Sequence, residues 1–391
     1  MWGGFQMDET ARMKKLIQAH RQKKRKRNIM IFCLLCGALL TAGTALYLTR
    51  ASWLPSSAPE EAAAVPQALE TDVSSPQAAS AARLRNLNTQ ITISLVGDCT
   101  LGTDEAFAYD TSLNAYQLYR GSDYFLQNVK TIFAEDDLTI INMEGPLTES
   151  TERNGEKFAF KGAPGFVDIL SGSSVEAANL ANNHSHDYGE QGFEDTKRIL
   201  SDAGITAFGY DETALITIKG IKIGLVGIYE LHDHLERTRQ LKDNIAKVKQ
   251  EGADLIITIF HWGNERETIP DSNQMALGHI AIDYGADLVA GHHPHVLQGI
   301  EEYRGKYIVY SLGNFCFGGN SAPDDMDTMI FQQTFTIQSG EVLTDENITL
   351  IPCSISSETG FNNYQPTPAE GSEAERILQK IDERSAQINA E

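Results

Sequence analysis

The sequence predicts an α/β domain whose mixed β-sheet is divided into two packed layers, preceded by one transmembrane helix. Two observations predict the domain. Strand and helix patterns alternate from residue 91 onwards, and side chains with metal-binding chemistry follow several of the strands. A third observation predicts the membrane helix, because residues 29–48 carry no charge and have the length a helix needs to cross a bilayer.

The N-terminal region is predicted to consist of three parts. Residues 1–28 form a basic cytoplasmic tail, because six of the seven residues in 21–27 are Lys or Arg and positive charge stays on the cytoplasmic side. Residues 29–48 are the predicted transmembrane helix. The alternative to this uncleaved anchor is a cleaved signal peptide, for which the small residues 42–45 could supply the cleavage site. Residues 51–90 are rich in Ala, Pro, Ser and Glu without hydrophobic periodicity, which predicts a disordered extracellular stalk.

Charge and cysteine content exclude two classes of protein. The net charge is −21, and it becomes −28 when the basic residues 1–28 are set aside. Such an acidic domain would be repelled by phosphate backbones, so we expect no nucleic-acid partner. Cys99, Cys316 and Cys353 are too few for a disulfide framework, and we favour three small buried side chains over a single disulfide.

The domain, predicted over residues 91–355, begins with a strand in which Ile91, Ile93 and Leu95 alternate with polar residues before the turn at Gly97. Ser122 can cap the first helix, Gly204 can end another, and Lys219–Gly220 is a hairpin signal. Apolar periodicity then predicts helices at 122–135, 190–203, 237–250 and 272–284. It predicts strands at 138–143, 175–181, 214–218, 221–228, 254–260, 286–290, 307–311, 329–337 and 348–353. Residues 356–391 are predicted to be a charged C-terminal tail or helix.

Side chains that can bind metal or transfer protons follow five of these strands. They are Asp98; Asn142 and Glu144; Asn182, Asn183 and His184; His261; and His292, His293 and His295 within the stretch GHHPH. Open α/β sheets place their sites at the carboxyl ends of strands, so these side chains are expected to meet. Taken singly, Asp98 and Glu144 could be turn or loop residues, and His261 could be packed against the backbone. The combination suits Mn, Fe or Zn, and two ions could polarise a phosphoryl oxygen.

Six motifs carry a resemblance to a known family. They are GDCTLG (97–102), NMEGPLT (142–148), ANNHSHDYGEQG (181–192), FHWGNE (260–265), GHHPHVLQGIE (291–301) and YSLGNF (310–315). In this order they resemble the CapA capsule-synthesis family, whose members take part in poly-γ-glutamate capsule production and anchoring and are related to calcineurin-like metallophosphoesterases. The resemblance covers residues 91–352 and implies a four-layer α/β/β/α sandwich of metallophosphoesterase type.

The resemblance also implies roles for individual residues. The implied metal ligands are Asp98, Glu144, Asn183, His261, His293 and His295, with His184 as the catalytic acid. The residues implied to support them or to contact substrate are Asn142, Asn182, Asp187, His292 and Asn314. Thr100 departs from the pattern, because the related hydrolases have a histidine there, and this places one of the two metal positions in question. On i, i+2 spacing, His293 and His295 are expected to face one side of an extended segment.

Two functions remain open at this stage. In the first, the chain is an extracellular, membrane-anchored CapA-like protein of capsule or poly-γ-glutamate biosynthesis or anchoring. Its hydrolase- or transferase-type site holds one or two divalent ions and acts on a phosphoester or an amide. In the second, it is a non-catalytic component whose degenerate site binds polymer or partner proteins. Either function implies a bacterial cell membrane location and partners such as a capsule or cell-wall polymer and other membrane capsule-synthesis proteins.

Overall fold

The computed structural model describes residues 88–338, 341–343 and 347–388. The predicted cytoplasmic tail (1–28), transmembrane helix (29–48) and nearly all of the stalk (51–90) lie outside the described residues. Within those described ranges, no helix combines the length and apolar character needed to cross a bilayer.

The described chain alternates strands and helices, as the sequence predicts for an α/β domain. The strands are β1 (Thr89–Thr100), β2 (Thr103–Asp104), β3 (Leu138–Met143), β4 (Phe160–Lys161), β5 (Ala177–Asn179), β6 (Thr206–Phe208), β7 (Ala214–Ile218), β8 (Ile221–Tyr229), β9 (Leu255–His261), β10 (Leu288–His292), β11 (Ile300–Tyr303), β12 (Lys306–Val309), β13 (Asn314–Phe317), β14 (Asp327–Gln338), β15 (Glu341–Leu343), β16 (Ile348–Ser354) and β17 (Thr367–Pro368). The helices are α1 (Leu113–Arg120), α2 (Lys130–Glu135), α3 (Asp168–Ser171), α4 (Gly189–Asp202), α5 (Thr238–Gln250), α6 (Ser272–Tyr284) and α7 (Gly371–Ile388).

Two large sheets hold these strands. The first has nine strands in the order β17-β16-β14-β1-β3-β5-β6, with β13 beside β1 and β15 beside β14. The second has six strands in the order β11-β12-β10-β9-β8-β7. Strands β1, β3, β5 and β6 are parallel, as are β8, β9, β10 and β12, so each sheet has an edge where carboxyl ends collect.

Three buried apolar clusters define the layers. One lies between the sheets and joins residues such as Ile93 of β1 and Ile257 of β9. A second packs the outer face of the nine-stranded sheet against α2 to α4, through residues that include Phe133 and Leu200. The third packs the outer face of the six-stranded sheet against α5 and α6, through residues that include Leu277. The layers therefore run helices, sheet, sheet, helices.

The structure corrects the prediction of a single helix over 122–135. A short 3-10 turn occupies Ser122–Tyr124, and the α-helix begins only at Lys130. The residue before this helix, Val129, is fully buried, as are Phe125 and Leu126. Anchoring of this segment into the core outweighs its helical periodicity, because tertiary packing overrides propensity in short segments.

The three cysteines and the hairpin agree with their sequence predictions. Cys99, Cys316 and Cys353 are free and buried. Lys219 and Gly220 both have positive φ, 50° and 84°, as the two-residue turn between β7 and β8 requires.

The C-terminal segment, predicted as a charged tail or helix, contains α7. Ile377 and Ile381 of this helix are fully buried in the cluster between the sheets. Asp327, at the start of β14, accepts hydrogen bonds from Arg376 and Lys380 and fixes the helix at its polar side. The helix is thus part of the folded domain.

Candidate metal centre

The carboxyl ends of parallel strands from both sheets meet at one rim of the sandwich. Asp98 lies near the end of β1, Asn142 and Glu144 at the end of β3, and His261 at the end of β9. A hydrogen bond joins the two sheets here, since the backbone N–H of His293, just after β10, donates to Asp98 Oδ2 at 3.3 Å. The sequence prediction that these strand ends meet agrees with this arrangement.

A β-bulge aims Asp98 at the rim. The register of β1 shifts between Leu95 and Asp98, and the Asp98 N–H donates to the carbonyl of Gly313 at 2.9 Å. A Cβ on Gly97 would lie 2.2 Å from that same carbonyl oxygen, so only glycine permits this approach. The bulge turns the Asp98 carboxylate towards the histidines that follow β10.

Glu144, His293 and His295 form a triad of possible metal ligands. One donor atom from each lies within 4.8 Å of the others. Glu144 Oε1 and His293 Nδ1 are buried and find no hydrogen-bond partner among the described residues. Buried polar atoms are nearly always hydrogen-bonded, so two such atoms without a hydrogen-bond partner, both on triad residues, are suited to hold a cation. The donor set, one carboxylate oxygen and two imidazoles, suits Zn, Mn or Fe.

Glu144 is fully buried and is held by Thr100. The Thr100 hydroxyl donates to Glu144 Oε2 at 3.1 Å, which leaves Oε1 as the free oxygen. Burial, followed by the charge of Asp98, raises the pKa of Glu144 to about 7. A bound cation would oppose both effects and favour the carboxylate. The residue that departs from the family pattern therefore orients this carboxylate.

The histidine pair is not on an extended segment, which corrects the sequence prediction. His293 and His295 have φ values of 94° and 58°, so the loop after β10 turns through left-handed conformations. His295 Nδ1 lies 2.9 Å from Asn314 Oδ1, and the Asn314 amide donates back to the His295 carbonyl at 3.3 Å. Nδ1 of His295 therefore carries the proton, which leaves Nε2 to face Glu144 Oε1 at 3.9 Å.

The two histidines have opposite charge preferences. Burial, followed by the charge of His295, lowers the pKa of His293 to about 3. For His295, burial lowers the pKa, but Glu144 and Asp98 outweigh it and raise the pKa to about 9. Binding of a cation to His295 Nε2 therefore requires release of a proton.

Asp98 lies behind the triad and accepts hydrogen bonds on both oxygens. Its Oδ1 accepts from Asn142 at 2.8 Å and lies 3.1 Å from His292 Nδ1, while Oδ2 lies 3.2 Å from His295 Nδ1. Burial raises the pKa of Asp98, but these two histidines outweigh it and hold the pKa well below its usual value. Carboxylates in this position orient the imidazoles that ligate a metal.

His261 is joined to two amide side chains. Its Nδ1 lies 3.2 Å from Asn142 Nδ2, and its Nε2 lies 2.7 Å from Asn183 Oδ1. Its ring centroid is 4.9 Å from that of His293, so both histidines belong to one centre. Burial, followed by the charge of His293, holds the pKa of His261 well below its usual value.

His184 and Asp187 form a second polar pair beside the triad. His184 Nδ1 donates to Asp187 Oδ2 at 2.8 Å, and the same carboxylate accepts from the Phe160 N–H at 2.7 Å and from Asn154 Nδ2 at 3.2 Å. The Phe160 ring lies 4.6 Å from the His184 ring. Burial lowers the pKa of His184, but the hydrogen bond to Asp187 and the charge of Glu144 outweigh it, so the pKa is raised. His184 is therefore a fixed imidazole that holds a proton.

An open cleft of about 1610 Å³ begins at His184 and His295. Phenylalanines form its wall near the centre, and Phe158 is 41% exposed. The basic residues at its far end are paired with acids: Arg376 and Lys380 with Asp327, among others. The cleft therefore provides apolar contact next to the candidate centre and little unpaired positive charge.

The structure brings the sequence-predicted residues together at this rim. The predicted ligands Asp98, Glu144, Asn183, His261, His293 and His295, the predicted acid His184, and the supporting residues Asn142, Asn182, Asp187, His292 and Asn314 all lie in one hydrogen-bonded or ion-paired assembly.

Sequence reasoning missed three participants. Asn179 donates to Asn142 Oδ1 at 2.9 Å, and its position inside a buried strand is a signal that could have been used. Thr100 was noted for the histidine it replaces and not for the carboxylate it holds. Asn154 lies in a loop far along the chain from Asp187, and no pattern in the sequence marks it.

Comparisons with known proteins agree with these observations. Residues 92–319 match the family model described as bacterial capsule synthesis protein PGA_cap. The chain is 29% identical over 256 residues to the capsule biosynthesis protein CapA of Bacillus anthracis, covering 59% of this chain and 60% of that protein. It is 29% identical over 219 residues to the PGA biosynthesis protein CapA of Bacillus subtilis (strain 168), covering 51% and 58%. The matches thus span less than two thirds of these relatives.

Solved structures were compared with the chain as well, and one of those that match is the following. A hypothetical protein from Thermus thermophilus overlays with a TM-score of 0.44 and 14% sequence identity, covering 67% of this chain and 98% of that one.

Proposed function

The chain belongs to the bacterial capsule synthesis protein family PGA_cap, and we propose that it is a metal-dependent phosphoester hydrolase or transferase of capsule or poly-γ-glutamate assembly. The observation that carries the proposal is that His184, held by Asp187, lines the same cleft as His295 of the Glu144–His293–His295 triad. A cation site beside a positioned proton donor is the minimum that hydrolysis of a phosphoester needs.

The triad residues would hold the ion. Glu144 Oε1 and His293 Nδ1 have no hydrogen-bond partner among the described residues, and Glu144 Oε1 lies 3.7 Å from His261 Nε2 and 3.9 Å from His295 Nε2. His295 is oriented by Asn314 and Asp98. A bound divalent ion would supply a Lewis acid for phosphoryl oxygens and lower the pKa of water. The layer order of the domain agrees with the metallophosphoesterase-type sandwich that the motifs imply, and this favours a phosphoester over an amide as substrate.

His184 is proposed to protonate the leaving oxygen. Its Nδ1 is occupied by Asp187, so the proton available for transfer is on Nε2. The Phe160 ring packs against the imidazole, and the Phe160 N–H holds the carboxylate that orients it. Asp187 and the Phe160 ring thus contact the acid directly, and the Phe160 N–H holds Asp187 in place.

A role in holding polyanionic polymer has less support. Poly-γ-glutamate carries one carboxylate per residue, and the cleft offers few cations free to receive them. Arg376 and Lys380 are neutralised by Asp327, and Arg266 lies 3.5 Å from Asp324. A polymer-binding component would need an unpaired basic stripe.

We also propose that residues 29–48 anchor the chain in the bacterial cell membrane, with the domain outside on the stalk 51–90. The uncharged run and its basic flank support this orientation. The other membrane proteins of capsule synthesis are the proposed partners. Protease added to intact cells should digest the domain while residues 1–28 stay protected, and protection of the domain would contradict the orientation.

The enzymatic proposal is tested with full-length protein. The chain is stripped with a chelator, reloaded with Mn²⁺, Fe²⁺ or Zn²⁺, and assayed for hydrolysis of bis-p-nitrophenyl phosphate. We expect metal-dependent turnover that falls about 10²- to 10⁴-fold in His184→Ala, the usual contribution of a general acid. His186→Ala is the matched control, because His186 is exposed, follows two residues later and stacks on Phe193 instead of joining the centre.

The possible outcomes separate the enzyme from the non-catalytic component and test the role of His184. Turnover that depends on metal and on His184 but not on His186 supports the hydrolase. Bound metal without turnover on any phosphoester would show a non-catalytic component that retains the site. Turnover that is equal in His184→Ala and wild type would contradict the assignment of His184.

A further inference from the structure

We propose that Phe107, Phe158 and Phe160 form a subsite for the leaving group of the substrate, and that this leaving group is apolar. The inference rests on the function proposed above and specifies its substrate class, a phosphoester whose leaving alcohol carries an aromatic or aliphatic group next to the ester oxygen. Its basis is a series of aromatic rings that begins at the proposed acid.

Three ring contacts lead from the acid along the wall of the cleft. Between centroids, the Phe160 ring lies 4.6 Å from the His184 ring and 6.4 Å from the Phe107 ring. The Phe107 ring lies 5.8 Å from the Phe158 ring. All four residues line one cleft, and exposure increases from Phe160, which is buried, to Phe158, which is 41% exposed. The cleft therefore has accessible apolar surface that starts beside the acid.

The position of His184 determines which part of the substrate meets these rings. A general acid must lie within hydrogen-bond reach of the oxygen that it protonates, about 2.6–3.2 Å. The leaving group is bonded to that same oxygen, so it lies next to the acid in any pose that allows the transfer. Beside the acid is the Phe160 ring, followed by the Phe107 ring. The leaving group is thus placed against phenylalanine side chains, whose burial by an apolar group is favourable.

A buried carboxylate fixes the backbone on both sides of this wall. Asp104 is the last residue of β2, and its side chain is buried. Its Oδ1 accepts from the N–H of Ala106, the residue before Phe107, at 2.7 Å. Its Oδ2 accepts from the N–H of Ala159, which lies between the other two phenylalanines, at 2.7 Å. One side chain therefore holds the two chain segments that carry the three rings.

Arg153 supports the most exposed of the rings. Its Nη2 donates to Asp104 Oδ2 at 2.9 Å, and its Nη1 donates to the carbonyls of Asn154 and Glu156 at 3.0 and 3.1 Å. These carbonyls belong to the bend that leads to Phe158, so the backbone before this exposed side chain is held in place. A surface that is already ordered loses little conformational entropy when a ligand binds. This favours a built subsite over an incidental exposed phenylalanine.

The charges along the cleft disfavour an anionic leaving group. Arg266, Arg376 and Lys380, which line the cleft, are each ion-paired with an aspartate. Glu265 and Glu358 also line it and form no ion pair among the described residues. An additional negative charge on the leaving group would therefore be repelled. Aromatic contact beside the acid and excess negative charge beyond it agree on an apolar leaving group.

Binding of small phosphodiesters to full-length protein tests the inference without turnover. Protein loaded with Mn²⁺ is titrated by calorimetry with dimethyl phosphate, methyl phenyl phosphate and methyl 4-carboxyphenyl phosphate, and the titrations are repeated in His184→Ala to exclude heat of hydrolysis. The probes share one phosphate group and differ in the group on one ester oxygen. We expect the phenyl ester to bind about tenfold more tightly than the dimethyl ester. The carboxylated ester should bind more weakly than the phenyl ester.

The variants are Phe158→Ala and Phe158→Tyr, with Tyr284→Ala as the matched control. Phe158 and Tyr284 are 41% and 44% exposed, and each has a lysine ammonium over its ring, at 4.7 and 4.2 Å. Tyr284 is the last residue of α6 and does not line the cleft. Phe158→Ala should weaken binding of the phenyl ester by about 2- to 10-fold and leave the dimethyl ester unchanged. Phe158→Tyr keeps the ring and should keep the preference, and Tyr284→Ala should change neither affinity.

Four results would overturn the inference. They are equal affinities of the wild type for the phenyl and dimethyl esters, tighter binding of the carboxylated ester than of the phenyl ester, a preference for phenyl as large in Phe158→Ala as in wild type, and absence of binding of all three probes.

Steady-state kinetics supply a second readout. The Phe158 ring contacts the leaving group before and during the reaction, so its loss removes binding that the ground state and the transition state share. With bis-p-nitrophenyl phosphate, Phe158→Ala should raise KM by about 2- to 10-fold and keep kcat within about twofold. A lower kcat at unchanged KM would show a structural effect on the acid and overturn the subsite.

Failure of this inference can be separated from failure of the proposed function. Metal-dependent hydrolysis without a preference for the phenyl ester would reject the subsite and leave the enzyme intact. A preference for the phenyl ester that depends on Phe158, without hydrolysis, would reject the enzyme and retain the subsite. Protein that shows neither would reject both.

Discussion

Replacing Asp187 by asparagine tests whether the His184–Asp187 pair acts in proton transfer. The Asp187 carboxylate is fully buried and serves both the His184 imidazole and the Phe160 N–H through Oδ2. Asparagine keeps an oxygen at this position, so both hydrogen bonds can persist. What is lost is the negative charge that strengthens the bond to the imidazole and favours its protonated form, together with the bond that Asn154 donates to Oδ1.

The expected magnitude follows from the two kinds of hydrogen bond. A bond to a charged group contributes about 1.5–3 kcal/mol and a neutral one about 0.5–1.5 kcal/mol. The difference of roughly 1–1.5 kcal/mol corresponds to a decrease in kcat of about tenfold. Asp187→Ala removes the acceptor altogether, so we expect a decrease of about 10²- to 10⁴-fold and, because the buried Phe160 N–H is orphaned, a stability loss of about 1–3 kcal/mol.

The assay compares kcat for two substrates with different leaving groups. A purely structural role of Asp187 would lower kcat equally for both. kcat is measured for p-nitrophenyl and phenyl phosphodiesters at saturating metal, with urea unfolding of each variant as the control for stability. Because p-nitrophenolate leaves without much help from an acid, the decrease in Asp187→Asn should be larger for the phenyl ester. Equal decreases for the two esters, or an unchanged kcat with reduced stability alone, would refute the reasoning.

Three further predictions concern the stability of the domain. Burial raises the pKa of Glu176 from its ordinary 4.5 to about 7, so the folded state binds this proton more tightly and its contribution is full below pH 4.5 and lost as pH rises to about 7. Glu176→Gln should therefore flatten the pH dependence of the unfolding free energy over this range, measured by urea unfolding. For a fully buried group the change in that free energy would be about 3 kcal/mol, and for the half-buried Glu176 it is smaller. An unchanged pH profile in the variant would contradict the shift. Gly97→Ala places a Cβ 2.2 Å from the Gly313 carbonyl oxygen, so it should lower the free energy of unfolding by at least about 1–3 kcal/mol and weaken metal binding. Gly155→Ala is the control, because a Cβ there has nothing within 4 Å. It should change neither quantity in urea unfolding and in calorimetric titration with metal. Ile381→Ala should destabilise the domain by about 2–5 kcal/mol in chemical unfolding if α7 belongs to the core, and a change below about 0.5 kcal/mol would show an independent tail.

Much of the secondary structure could be predicted because the periodicity of apolar residues, a local property of the sequence, indicates it. The strand Leu138–Met143, the hairpin strand Ala214–Ile218 and the helix Ser272–Tyr284 have the predicted bounds. Each is bounded by a local signal, such as the Asp271 capping box and the left-handed Gly285 that enclose the last of these. The segment 122–135 was mispredicted where buried contacts from distant residues determine the backbone.

The candidate site was predictable as a set of residues but not as a set of roles. Polar side chains at strand ends meet because parallel strands share an edge, and that much follows from the sequence. The sequence contains no information on which of these atoms hydrogen-bond one another. The contacts of Asn179, Thr100 and Asn154 became known only from the structure, since each joins a residue at least thirty positions away and spacing does not encode it.

The sequence by itself determined the α/β class, the family and the list of donors at the rim, because hydrophobic periodicity and short motifs are local properties of the chain. Only the tertiary structure decided that α7 belongs to the core and that the loop at His293 and His295 turns through left-handed conformations. It also decided which donors remain free for a cation. A buried atom is available to a metal only when no neighbour has already taken its lone pair or its proton, and those neighbours are assembled by the fold.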